Sequence, residues 1–319
     1  MTDTAIAVEH VDVVIVGAGI SGGGGAYHLT TQRPGTNFVV LEHQESFGGT
    51  WITHTYPGIR SDSDLHTFGY RFKPWTGAPI ASAEEILSYM GEVIDENDLA
   101  SHIRYQHQID AAEWSSADRR WTLGVRRLDT GEHVAFTCNF LWMCQGYYRH
   151  SAGYTPEWPG MDRFDGPVVH PQLWPDDLEY EGKNVVVIGS GATAATIVPA
   201  MAAKTSHITM LQRSPTYFAA GRNENEVAVM LRELDIDEEW VHEIVRRKIL
   251  FDQSQIAEAA VHFPEMVKDE LYGRMREYLG DDYDMEPHFT PSYRPWQQRL
   301  AFVPDGDLFR AIAAGDIAA

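Results

Sequence analysis

The sequence is short of cysteines, short of cations and without a long apolar run, and each shortage narrows what the chain can do. Only Cys138 and Cys144 occur among its 319 residues. Their spacing is neither C-x-x-C nor one used in metal ligation, so reduced core thiols are expected. Lys plus Arg number 25 against 46 Asp plus Glu, a formal net charge of -21. A surface so acidic disfavours nucleic acid and anionic membrane as partners, and an anionic cofactor must be held by local donors against the average field. No apolar stretch approaches the ~20 residues of a membrane span. The start, Met1-Thr2-Asp3-Thr4, lacks the basic and apolar regions of a signal peptide, which points to the cytoplasm. No H-E-x-x-H or other clustered ligand pattern is present; His242, His262 and His288 are expected to be structural or exposed, and no metal is expected.

Glycine, by contrast, is placed where it carries chemistry. Val13-Val14-Ile15-Val16 runs into Gly17-Ala18-Gly19-Ile20-Ser21-Gly22, and Val185-Val186-Val187-Ile188 runs into Gly189-Ser190-Gly191-Ala192-Thr193-Ala194. A buried strand, a tight glycine turn and a helix N-terminus facing a pyrophosphate are what dinucleotide binding requires. A lone G-x-G-x-x-G is often chance; two, each with a readable strand and helix, say much more. After the first loop, Phe38-Val39-Val40-Leu41 ends at Glu42, twenty residues past Gly22, where a carboxylate can accept hydrogen bonds from the hydroxyls of an adenosine ribose. After the second, Ile208-Thr209-Met210-Leu211 ends in Gln212-Arg213-Ser214. A guanidinium suits a ribose 2'-phosphate, which assigns NADPH to the second site. The run Gly22-Gly23-Gly24-Gly25 predicts a weakened first helical turn.

Between the loops, Gly48-Gly49-Thr50-Trp51 and Tyr56 to Asp64, with Arg60 and Asp62, have the composition of a loop lying along a large flat ligand, although an ordinary surface loop has it too. Ser82 with Glu85 forms a capping box for a helix whose Ile86, Leu87, Met90 and Val93 share a face. Period-two alternation from Ile103 to Phe140 predicts a small antiparallel meander, after which Leu141 to Gly146 returns as a buried strand. Tyr147 to Asp165 has linker composition. Residues 222 to 288 are acidic and helical, with Trp240, Val241, Ile244, Val245 and Ile249 on one face. The expected fold is α/β, with two Rossmann-like dinucleotide-binding domains and an inserted helical subdomain. Its parts are a first domain over 1–150, a second over 151–221, the helical insert over 222–288 and a return segment over 289–319.

One further signature lies between the loops. Phe164, Gly166, His170 and Trp174 spell F-x-G-x3-H-x3-W. Flanked by two dinucleotide loops, it resembles the fingerprint of the Baeyer-Villiger monooxygenases. Tyr56 to Tyr70, Leu211 to Thr216 and Trp296 to Arg310 look most like the ethionamide-activating monooxygenase branch. The resemblance implies FAD at Gly17, Gly19, Ser21, Gly22, Glu42, Gly49, Thr50, Trp51, Arg60 and Asp62, with Ile109 offering its backbone to the adenine. It implies NADPH at Gly189 to Ala194, with Thr193, Gln212 and Arg213 as principal contacts. Arg299 matches the family's active-site arginine, oriented by Asp62. Reduced flavin and dioxygen would form a flavin peroxide that oxygenates a ketone, or a soft sulfur compound. Gln298 stands where many relatives have a Lys, which softens the expected NADPH preference. The chain is also expected to be C-terminally truncated relative to the family. Two other readings stay open: a flavin-containing monooxygenase limited to nitrogen and sulfur, and a nucleotide-binding fragment without full turnover.

Overall fold

Eleven strands and nine α-helices are distributed over residues 8–318, the part of the chain that the computed structural model describes. The chain opens with β1 (Val8–Val16), α1 (Ile20–Gln32), β2 (Phe38–Leu41), α2 (Thr50–Thr53), α3 (Leu65–Phe68) and α4 (Ala83–Glu96). Four strands follow, β3 (Ile103–Arg104), β4 (His107–Ser115), β5 (Arg120–Arg127) and β6 (His133–Met143). Then come β7 (Asn184–Ile188), α5 (Ala192–Ala202), β8 (His207–Leu211), β9 (Tyr217–Gly221), α6 (Glu226–Glu233), α7 (Glu238–His262) and α8 (Pro264–Leu279). The described chain closes with β10 (Leu300–Pro304), α9 (Asp307–Ala313) and β11 (Ile317–Ala318). These elements form two compact units. One ends at Thr55 and resumes over Glu84–Leu173; the other joins Tyr56–Ala83 to the chain from Trp174 onward.

The first unit is one six-stranded sheet, β3-β2-β1-β6-β5-β4. β1 lies between two parallel neighbours, β2 and β6, which makes its C-terminal end a topological switch point. The expected meander is present but is not separate from the parallel sheet. β6 is a single strand that pairs antiparallel with β5 from His133 to Cys138 and parallel with β1 from Ala135 to Met143. There is no break between Phe140 and Leu141. Nor is the end of β6 buried as expected, since Met143 is exposed and Leu141 and Trp142 are half-buried. The core beneath the sheet gathers Val11, Val14, Val39, Leu41, Leu123, Val125, Phe136 and Cys138, side chains worth roughly 1.5–3 kcal/mol each for the large aliphatics. Helix α4 begins directly after Ser82 and buries Ile86, Met90 and Val93, with Leu87 half-buried. Helix α1 runs unbroken through all four glycines, three of which are buried.

The second unit holds a three-stranded parallel sheet, β11-β8-β7, and a parallel pair, β9 with β10. Its core runs from Ala194, Ile197 and Val198 of α5 through Phe218, Phe289 and Phe309, the three rings meeting edge to face. In the helical stretch the buried stripe is Val241 and Val245, against Ala228 of α6. Trp240, 64% exposed, and Ile244 lie off it. Positions 240 and 244 sit one residue, about 100°, to the side of 241 and 245, enough to leave a narrow stripe. The expected boundary near residue 150 falls instead at Leu173, and residues 56–83 belong with the second unit.

Candidate functional sites

In the first unit the residues singled out around the first loop converge at the C-terminal ends of β1 and β2. The Gly17 N–H donates to the Leu41 carbonyl at 2.8 Å, which ties the turn to β2. Gly17 has φ +95, and a Cβ there would stand 2.9 Å from the Cys144 carbonyl oxygen. At Gly22 a Cβ would lie 1.9 Å from the Gly17 oxygen, so only glycine lets α1 start this close to the turn. The Gly48 N–H donates to the Ala18 carbonyl at 3.1 Å, and Gly49 lies against Gly19. Thr50 and Trp51 follow in α2, and Ser21 stands in the first turn of α1. Ile109 packs on the β1–β2 core, where the His107 N–H donates to the Glu42 carbonyl at 2.8 Å. A glycine cradle, a helix N-terminus without acidic residues in its first turn and a carboxylate on the next strand fit an adenine dinucleotide.

Glu42 is buried, and its carboxylate is well supplied with donors. Oε2 accepts from the Ala18 N–H at 2.7 Å, and Oε1 from the Gln44 N–H at 2.9 Å. His43 Nδ1 lies 3.0 Å from Oε1. Burial pushes this carboxyl up, but the His43, Gln44 and Ala18 hydrogen bonds outweigh it and leave Glu42 below the usual carboxylate range. Nothing in the sequence singled out His43; its position directly after the strand-end acid was the available signal.

The fingerprint residues divide between the units. In the first, the Phe164 ring lies over Gly166 and the His170 ring over Gly153, each so close that a Cβ would collide with it. Trp174 belongs to the second unit and meets Tyr180 edge to face at 6.3 Å.

The second loop repeats the first in plan. The Gly189 N–H donates to the Leu211 carbonyl at 2.8 Å, and Gly189 has φ +137. α5 begins at Ala192 with Gly191 as an N-cap that supplies no side chain. Beside Gly189 and Gly191 the space is open: apart from the adjoining residues, no atom lies within 4 Å of where a Cβ would stand. The Ser190 hydroxyl pairs with that of Thr216 at 2.8 Å, and Thr193 bonds the buried Tyr56 hydroxyl, whose titration burial pushes up. Ala194 is buried in the core. Gln212 Nε2 donates to the His288 carbonyl at 2.8 Å, while its Oε1 is buried without a partner. Arg213 follows it, exposed.

Also in the second unit, Arg299 and Asp62 form an ion pair, with Arg299 the more exposed. Arg60 points elsewhere: it holds the Asp307 carboxylate through two nitrogens, at 2.6 and 3.3 Å, and reaches the Ala195 carbonyl at 3.4 Å. Its donors fasten loop 56–64 to α5 and α9. Burial pushes up both Cys138 and Cys144, leaving them poor nucleophiles. Among the described residues no cluster of three or more His, Cys, Asp or Glu is arranged to hold a metal ion, and no helix is long and apolar enough to cross a membrane.

Residues 15–75 match the family profile described as an NAD(P)-binding Rossmann-like domain, and residues 79–227 match that described as flavin-binding monooxygenase-like. The chain is 45% identical over 311 residues to the FAD-containing monooxygenase EthA of Mycobacterium tuberculosis, covering 97% of this chain and 63% of that protein. It is 42% identical over 309 residues to the probable FAD-binding monooxygenase AlmA of Acinetobacter baylyi, covering 96% and 61%. The chain thus spans under two thirds of the length of these relatives. Among solved structures, an oxidised steroid monooxygenase bound to NADP is 32% identical with TM-score 0.56, over 66% of this chain and 40% of that one. A closed cyclohexanone monooxygenase is 26% identical with TM-score 0.58, over 80% and 45%. A cyclohexanone-bound form of cyclohexanone monooxygenase, 20% identical, shares the fold over 98% of this chain and 66% of that one, with TM-score 0.72.

Proposed function

The chain belongs to the flavin-binding monooxygenase-like family, and from that premise we propose an FAD- and NADPH-dependent monooxygenase of Baeyer-Villiger type. FAD would sit at the first loop and NADPH at the second. Bound flavin, reduced by NADPH, supplies the activation of dioxygen: one oxygen atom enters the substrate, the other leaves as water, and NADPH provides the two electrons. The substrate class is ketones, converted to esters or lactones, with soft sulfur compounds as a second group. A cytoplasmic location would supply NADPH.

The observation that carries this reading is the ion pair of Asp62 with Arg299. Insertion of oxygen beside a carbonyl places negative charge on an oxygen, and a guanidinium held by a carboxylate is a donor fixed in advance of that charge. In the loops, backbone N–H groups and the N-termini of α1 and α5 would take the two pyrophosphates, and Arg213 the 2'-phosphate. Asp62 positions Arg299 by this charge-assisted contact.

The test is direct. The purified 319-residue chain should show a flavin absorbance spectrum, oxidise NADPH and convert a simple cyclic ketone to its lactone. Arg299→Ala should still let NADPH bleach the flavin in stopped flow while product falls at least a hundredfold, the scale of losing one donor to a developing oxyanion. Normal ester formation by this variant would remove Arg299 from the role, and a chain that holds no flavin would refute the reading.

A further inference from the structure

Glu42 and His43 together limit what the first loop can accept. An ionised carboxylate offers about four lone-pair positions. Both on Oε1 are occupied, by the Gln44 N–H at 2.9 Å and by His43 at 3.0 Å, and one on Oε2 by the Ala18 N–H at 2.7 Å. One position is left, whereas an adenosine ribose presents two neighbouring hydroxyls to this residue. The backbone donors cannot leave, because Ala18 lies in the glycine turn and Gln44 is fixed by its own chain. His43 can. Its side chain is 41% exposed, and the His150 ring, 5.5 Å away centre to centre, offers a surface to swing toward.

We propose that His43 is a positioning residue that holds the acceptor site on Glu42 needed by the second ribose hydroxyl, so that FAD binding must displace it. The inference rests on the assignment of FAD to the first loop.

The consequence is a coupling between cofactor affinity and pH. The hydrogen bond to Glu42 favours the imidazolium of His43 and raises it above the ordinary histidine range, against a smaller opposing effect of burial. Displacement removes that support, so His43 gives up protons over the range from about 6.5 upward when FAD binds. Affinity should therefore rise with pH across neutrality. The other titratable groups facing the pair are His150, from the turn after β6, and Tyr105, whose phenol burial and the Glu42 charge both push up. Arg104 and His107 meet Glu42 through their backbone groups. Glu42 stays ionised throughout this window.

The experiment titrates FAD into the flavin-stripped full chain, followed by flavin fluorescence, from pH 6 to pH 8.5. Wild type should bind roughly two- to fivefold more tightly at the upper end, the scale of a partly exposed ion pair. His43→Ala should bind at pH 6 at least as tightly as wild type does at pH 8.5, with the pH dependence flattened. His43→Gln, which keeps a neutral donor, should also be flat but weaker than His43→Ala. An unchanged pH slope in both variants, or weaker binding by His43→Ala at every pH, would overturn the proposal while leaving the assignment of FAD intact. Failure of wild type to bind FAD at any pH would sink that assignment and this inference with it.

Discussion

Arg213 is where the choice of nicotinamide cofactor is expected to turn. A carboxylate in its place would face a phosphate instead of a ribose hydroxyl, losing charge-assisted hydrogen bonds worth about 1.5–3 kcal/mol and adding repulsion. Arg213→Glu should thus weaken NADPH at least tenfold more than NADH in calorimetric titrations; equal losses would place the 2'-phosphate elsewhere. Residues of this kind are legible because position relative to a strand end carries their meaning. Gly17, Gly22, Glu42 and Gly189 were read from local spacing, and each sits where that spacing puts it. His43 and Arg60 were not legible in the same way. The partner of Arg60 is Asp307, 247 residues on, and no local pattern announces so distant a carboxylate. For His43 the deciding fact is which lone pair of Glu42 it takes.

Among elements, the segment from Tyr56 to Ala83 departs furthest from its local reading. Its composition is that of a loop, yet it joins the second unit through paired contacts. Ile80 and Asn223 exchange two hydrogen bonds of 2.8 Å, backbone N–H to Oδ1 and Nδ2 to carbonyl. Arg246 of α7 donates to the carbonyls of His66, Thr67 and Gly69, closing the C-terminal end of α3, while Asp64 accepts from the His66 N–H at its start. Two shifted groups sit inside this junction. Burial, aided by Arg232, His242 and Arg246, pushes His66 down to about 4, and burial pushes Asp64 up to about 6. Their effects oppose. A His held below its ordinary value loses stabilisation as pH falls from about 6.5 through 4, and an Asp held above its ordinary value loses it as pH rises from about 4 through 6. Asp64→Asn should leave the His66 effect uncovered, so that hydrogen exchange in residues 65–69 accelerates as pH falls from 6.5 to 4 beyond the intrinsic trend. His66→Asn should reverse the sign. Identical profiles in both variants would show that α3 docking is indifferent to these charges.

On the scale of the molecule, apolar surface is not confined to the cores. Ile188 and Leu211 are register partners on β7 and β8, and Val186 shares their face; the three are 59%, 52% and 59% exposed in the order Ile188, Leu211, Val186. A net charge of -21 opposes association of this face with a second copy at low ionic strength. Added salt removes that opposition. Light scattering should therefore show self-association that grows between 0.05 and 0.5 M NaCl, and Val186→Thr with Ile188→Thr should suppress it at a cost near 0.5 kcal/mol or less, as exposed substitutions usually do. Salt-independent scattering would show that this face is not the sticky one.

The continuity of β6 also sets an order of assembly. Its antiparallel contacts with β5 span short loops, whereas its parallel contacts with β1 join residues as far apart as Val8 and Ala135. Short loops close first, since the entropy of closure grows with the length of chain between the contacts. The hairpins of β4, β5 and β6 would thus form early and offer β6 as a ready template, with β1 and its glycine turn seated afterwards. Cofactor added at the start of refolding should then raise the yield of native protein without hastening its slowest phase, because the site that would capture it is finished last.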